Sequence, residues 1–246
     1  RDINIEAAHW FDNKLIQFCA ETEDKFENYR LSDILMSMYN FIWGDFCSWY
    51  LEMIKPPKGA SIQRATYEQT LDFYERLMTL LHPFMPFITE EIWHQLRARK
   101  EGEDCIVSQY PQTAEFDQPM VNRVTEGQEL ITKIRDLRNS NGLKQREPIP
   151  LYVRHSKRSD ELFAQEGLRE MVQKMAFLEK WEGTQEDRDS GISFLSGTEK
   201  YFLDITLEVD TEAEIDRLEK ELEHQRGFVK GIEKKLSNER FVNNAP

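Results

Sequence analysis

Cysteine is scarce: three occur, at positions 19, 47 and 105, and none forms a CxxC pair. With no Cys/His cluster at zinc spacing, a structural zinc site lacks ligands, and reduced thiols are the expectation. Long apolar runs are missing too, so nothing approaches the roughly 18–20 residues that a membrane span needs. No signal peptide opens the chain, which begins Arg1-Asp2-Ile3 without an initiator methionine, as an excised piece of a longer protein would. HExxH, G-x-S-x-G, Walker and G-x-G-x-x-G motifs are all absent. Metalloprotease, hydrolase, P-loop and dinucleotide-site readings therefore have no motif to rest on. Positive charge is in deficit, with a net balance of −13. Such a total argues against indiscriminate nucleic-acid binding but hides local patches.

What is present describes a globular chain able to bury a core: 246 residues, 39% hydrophobic and 31% charged. The first hundred residues read as helices. Tyr39, Ile42, Trp43, Phe46, Cys47, Trp49, Tyr50, Met53 and Ile54 recur at steps of three and four and predict one broad apolar face. Pro56-Pro57 and Gly59 end that helix. The next spans about 61–81, with Leu71, Tyr74, Leu77, Met78 and Leu81 inward. It is expected to stop at His82, because a residue before proline is driven out of the α region. Pro86 suits the first turn of a new helix, so "LLHPFMPFITEEIW" (80–93) predicts a helical corner. After a polar connection, a helix over 119–139 ends at Asn141-Gly142.

The period then changes. "IPLYVRH" (149–155) alternates as a strand does, "SDELFAQEGLREMVQKMAFL" predicts a helix starting on Ser159 or Asp160, and "GISFLSG" and "EKYFLDITLEV" predict two further strands. From Ile215 to Leu236, apolar residues follow heptad steps, with acids concentrated over 210–223 and bases over 224–240. The fold class is thus mainly α: an antiparallel helical bundle (1–142), a small α/β unit (143–209) and a C-terminal heptad helix (210–246).

Catalytic constellations are weak. Glu90 and His94, four apart, could join His82 at a metal, but such pairs are common on solvated helix faces. The aromatics Phe41, Trp43, Phe46, Trp49 and Tyr50 suit a core better than a stacking platform for bases. Basic clusters are more informative. Lys133, Arg135, Arg138, Lys144, Arg146, Arg154, Lys157 and Arg158 are opposed only by Asp136 and Glu147, and Lys55, Lys58 and Arg64 flank a proline-rich helix end. Either cluster would attract a phosphate backbone.

"NFIWGDFCSWYLEMIKP" (40–56), "LLHPFMPFITEEIW" (80–93), "IRDLRNSNGLK" (134–144) and "EIDRLEKEL…EKKLSNERFVNNAP" (214–246) together resemble the valyl-tRNA synthetase family, C-terminal to its catalytic core. The first two stretches are shared, more loosely, with the isoleucyl and leucyl enzymes, and the last is similar to the first arm of the valyl family's coiled coil. The resemblance implies a class I anticodon-binding bundle that reads the anticodon end of valine-specific tRNA, and an arm that braces the tRNA's outer corner. It implies a cytoplasmic enzyme in which valine activation, with ATP and Mg, occurs in a separate Rossmann domain bearing HIGH-like and KMSKS-like signatures. Neither signature is in these residues, nor is the editing domain, so no catalytic residue, cofactor or metal site is expected here. Candidate tRNA contacts are Lys55, Lys58, Arg64, Lys133, Arg135, Arg138, Lys144 and Arg146, with Lys230, Lys234, Lys235 and Arg240 at the arm. The family has a further bundle helix before the counterpart of Arg1 and a second coiled-coil helix after the Ala-Pro. With that returning helix missing, the 215–236 seam is expected to be exposed, frayed or covered by self-association. The competing reading is a self-associating helical scaffold with no RNA role.

Overall fold

The computed structural model describes residues 3–188 and 191–205, together with 222, 223, 226, 227, 229 and 230. Two compact units emerge, 1–205 and 206–246. Of the second unit, the described residues are helical, and Leu222 and Val229 of the heptad pattern are half exposed. Lys234, Lys235 and Arg240 lie outside the described residues. No helix among the described residues is long and apolar enough to cross a membrane.

The first unit is built on α1 (Ile3–Glu27), whose Trp10, Phe11, Leu15 and Phe18 are buried at helical spacing. The Phe11 ring is the hub, with ring centroids 5.4 Å from Phe41, 5.3 Å from Phe46, and 5.0 Å from both Tyr50 and Phe73. Phe41, Phe46 and Tyr50 come from a π-helical stretch, Phe41–Tyr50, that continues α2 (Leu31–Asn40), and Phe73 comes from α4 (Arg64–Leu81). A short α3 (Leu51–Ile54) ends the rod that α2 begins.

The π-helical stretch corrects the expected single face. Its turn closes between residues five apart, and the Ser48 hydroxyl likewise donates to Trp43 O at 2.7 Å. Phe41, Phe46 and Tyr50 therefore turn inward together, while Tyr39 and Trp43 are 59% and 60% exposed. The aromatic cluster is core, as the spacing suggested, except for Trp43.

The corner at 82–85 also differs in detail. His82 stays in the right-handed region (φ −54°, ψ −41°), its N–H bonded to Met78 O, despite the proline that follows. Helix α4 does end at Leu81, as expected, and Met85 adopts φ −138°, ψ 61° immediately before Pro86 opens α5 (Pro86–Leu96). His82 is held by that backbone bond and by Nδ1 on the Thr89 hydroxyl at 2.8 Å. The steric bias before proline acts fully only at the second proline. Arg97, just beyond α5, then ties the two helices by pairing with Glu68, Asp72 and Glu75 of α4.

Helix α6 (Gln118–Ser140) begins on Asp117, whose carboxylate accepts from Met120 N, and is followed by Gly142 at φ 64°. Next come β1 (Ile149–Arg154), α7 (Lys157–Phe163), α8 (Glu166–Met175), β2 (Leu178–Thr184), β3 (Ile192–Ser196) and β4 (Glu199–Leu203). The sheet order is β2-β1-β4-β3, with β1 and β2 parallel and the other pairs antiparallel. Three expectations are corrected. The helix cap is Ser156, in a reciprocal pair with Ser159. The single long helix is two, broken at 164–165, and Leu178, the last residue expected in it, opens β2, a strand the pattern did not reveal. A parallel strand needs the crossover that α7 and α8 provide.

The α/β unit shares the bundle's core. Leu168, Met171, Val172 and Met175 of α8 lie in one buried cluster with Trp10, Val124, Leu130 and Ile134. Gly127 on α6 makes this fit possible, because a Cβ there would stand 2.8 Å from Leu168 Cδ1. The boundary expected at 142/143 thus runs through a continuously packed unit.

Candidate nucleic-acid interface

A long basic side chain is available to RNA only if nothing inside the protein already holds it, and by that test the candidates separate. Arg138 is fully buried. Its guanidinium donates to Lys144 O (3.0 Å), Glu147 O (2.7 Å), Ala176 O (3.0 Å) and Phe177 O (3.0 Å). It cannot meet RNA; as a tRNA contact it is corrected to a structural tie between α6, the 141–148 loop and the turn from α8 into β2. Burial pulls its pKa below the ordinary guanidinium value, with Glu147 opposing the shift.

Arg135 is half-buried, donates to Met175 O at 2.9 Å and lies over the Trp49 ring at 5.7 Å. Its pKa too is lowered by desolvation, against the pull of Glu52. Lys133 donates to Leu195 O at 2.6 Å, Arg154 pairs with Asp187, and Arg158 pairs with Glu126. Much of the basic run is thus engaged within the fold.

The remaining candidates are exposed. Lys55 sits at the end of α3 beside Glu52 (2.8 Å), and Lys58 is exposed and forms no ion pair among the described residues. Arg64 opens α4 with a 92% exposed side chain, 3.8 Å from Glu68. Lys144 and Arg146 are exposed on the 141–148 loop, Arg146 lying 5.9 Å from the Phe177 ring. In the second unit Lys230 is exposed.

Two loops far apart in sequence meet at one structural point, the C-terminal end of α8. Lys174 Nζ donates to Met53 O (2.6 Å) and Lys55 O (2.8 Å), at the base of the loop holding Lys58. Two and three residues on, Ala176 and Phe177 accept from Arg138, which also holds the loop carrying Lys144 and Arg146. Sequence reasoning missed Lys174 because one lysine on an amphipathic helix carries no signal of its partner.

The other chemistry is modest. Glu90 accepts from Cys105 N (2.6 Å) and Ile106 N (3.2 Å), and His94 Nε2 lies 3.0 Å from Asp104 and 3.4 Å from Glu90. Glu90, His94 and Asp104 bring possible ligand atoms within 4.8 Å of one another, while His82 is engaged with Thr89. An open cleft lined by Glu6, His9, Asn13, Asp117, Arg123 and Glu166 presents three carboxylates against one arginine, a poor cradle for a nucleoside triphosphate.

The chain belongs to the family described as the anticodon-binding domain of tRNA ligase, which it matches over residues 8–153. Residues 210–246 match the valyl tRNA synthetase tRNA binding arm, and neither match covers 154–209. The chain is 42% identical over 242 residues to the valine--tRNA ligase of Bacteroides thetaiotaomicron, with 98% of this chain and 27% of that protein aligned. It is 38% identical to the Bacteroides fragilis enzyme (98% of this chain, 27% of that protein) and 32% identical to that of Enterococcus faecalis (98% and 28%). The chain therefore spans little more than a quarter of the curated relatives it matches.

Proposed function

We propose that this chain is a non-catalytic, tRNA-binding portion of a valine--tRNA ligase. The bundle engages the anticodon end of valine-specific tRNA, and the 210–246 arm contacts the outer corner. The observation that carries this reading is the convergence of the 55–64 and 141–148 basic segments on the end of α8. Unstacked bases are held by guanidinium or aromatic planes while cations meet phosphates, and Lys58, Arg64, Lys144 and Arg146 are the exposed groups that suit this. Lys230, Lys234, Lys235 and Arg240 extend the contact along the arm. In this reading the chain binds no cofactor of its own. ATP and Mg serve valine activation in a separate catalytic domain of a cytoplasmic enzyme, and this chain is its tRNA-docking partner.

The test is a salt titration of binding to valine-specific tRNA. Each phosphate contact removed by Lys58→Ala, Arg64→Ala, Lys144→Ala or Arg146→Ala should flatten the log–log slope by about 0.7–0.9. Unchanged slopes in all four variants would refute the interface. A self-associating scaffold would instead give concentration-dependent sedimentation and no salt-sensitive tRNA binding.

A further inference from the structure

The carbonyls at the end of α3 face a donor shortage written into the sequence. A helical carbonyl normally accepts from the N–H four residues on, or three in a tightened last turn. For Met53 those positions are Pro57 and Pro56, and neither has an N–H. Lys55 leaves the helix at φ −59°, ψ 121°, so the chain does not curl back to supply one. Lys174 Nζ fills the gap, donating to Met53 O at 2.6 Å and Lys55 O at 2.8 Å from 119 residues or more away in sequence. Its charge also sits at the negative end of the helix dipole.

The helix that carries Lys174 is itself firmly seated. Leu168, Met171 and Val172 are buried in the common core, packed where Gly127 of α6 lacks a side chain. One turn of the neighbouring chain is fixed from the same end of α8, since Arg135 and Arg138 donate to the carbonyls of Met175, Ala176 and Phe177. Yet α8 lies outside both regions matched to tRNA-binding families.

We propose that Lys174 is a positioning residue for RNA recognition: from the α/β unit it clamps the base of the 55–63 loop and so sets where Lys58 and Arg64 point. The α/β unit is then a brace for the RNA-reading loop. This role rests on the assignment of that loop to tRNA.

The experiment uses the full 246-residue chain as Lys174→Met, Lys174→Arg and Lys58→Ala, with far-ultraviolet circular dichroism to verify folding. Hydrogen exchange in the free protein reports the loop, through Ala60 N–H bonded to Pro57 O at 3.0 Å, and tRNA binding is measured across a salt series. With two charge-assisted bonds removed, Lys174→Met should speed exchange in 55–63 and weaken tRNA binding, each by about tenfold. It should do so with an unchanged salt slope. Lys174→Arg should restore both, while Lys58→Ala should flatten the slope and leave exchange alone. Unaltered exchange in Lys174→Met would overturn the clamp. A flattened slope in that variant would make Lys174 a phosphate contact and overturn the positioning role. Faster exchange with undiminished tRNA binding would leave the clamp standing, but would remove the loop from the tRNA interface and with it the role in recognition. If Lys174→Met is unfolded, Lys174→Gln replaces it, with the same outcomes decisive.

Discussion

Arg138→Met is the sharpest probe of how this unit is held together. Methionine preserves much of the volume and the apolar stem, but deletes the donors to Lys144 O, Glu147 O, Ala176 O and Phe177 O. Hydrogen bonds from a charged donor contribute about 1.5–3 kcal/mol each, but desolvating a buried guanidinium offsets much of that sum. Lys144, Glu147 and Phe177 are exposed residues, so water can re-satisfy part of what is lost. Against this, Phe177 adopts φ 52°, a left-handed conformation that costs a bulky residue about 1–3 kcal/mol and needs external support. The expected net loss is about 3–5 kcal/mol, in line with removal of one member of a buried charged contact. Urea unfolding followed by the fluorescence of buried Trp10 and Trp181 would measure it. Arg138→Lys should recover less than half, because one ammonium cannot serve carbonyls of two separate loops. A loss under about 1 kcal/mol with an unchanged m-value would refute the tie.

Truncating the ring at the centre of the bundle, Phe11→Ala, should destabilise by about 3–5 kcal/mol in the same assay, since Phe11 is fully buried against four aromatic rings. Alkaline pH should weaken the fold through Cys19, whose thiol burial raises from the ordinary 9.0 to about 11, with Arg76 opposing. The folded state favours the protonated thiol, so this contribution is complete below pH 9.0 and is lost as pH rises through about 11. Its ceiling is about 3 kcal/mol, and Cys19→Ala should abolish that part of the decline in urea midpoint. Tyr110, raised to about 12 chiefly by desolvation, extends the decline to higher pH.

The local architecture was legible because its causes are local. Proline geometry marked the corner, and Pro86 does open α5. Asn141-Gly142 marked the end of α6, and alternation marked β1, β3 and β4. Where a nonlocal partner or an alternative local geometry existed, the pattern misled. The π-helical stretch turned Trp43 outward, and β2 needed a strand partner that only the crossover brings.

The candidate interface divides along the same line. By itself the sequence determined that cations cluster at 55–64 and 133–158, and that two prolines leave a helix end without donors. Only the tertiary structure decided which of those cations are spent on the protein's own carbonyls and which face outward. Arg138 and Lys58 look alike in a string of letters, yet one is fully buried and the other exposed. The physical reason is reach: a flexible side chain with several donors bonds whichever acceptors the fold brings near, and those acceptors come from distant segments.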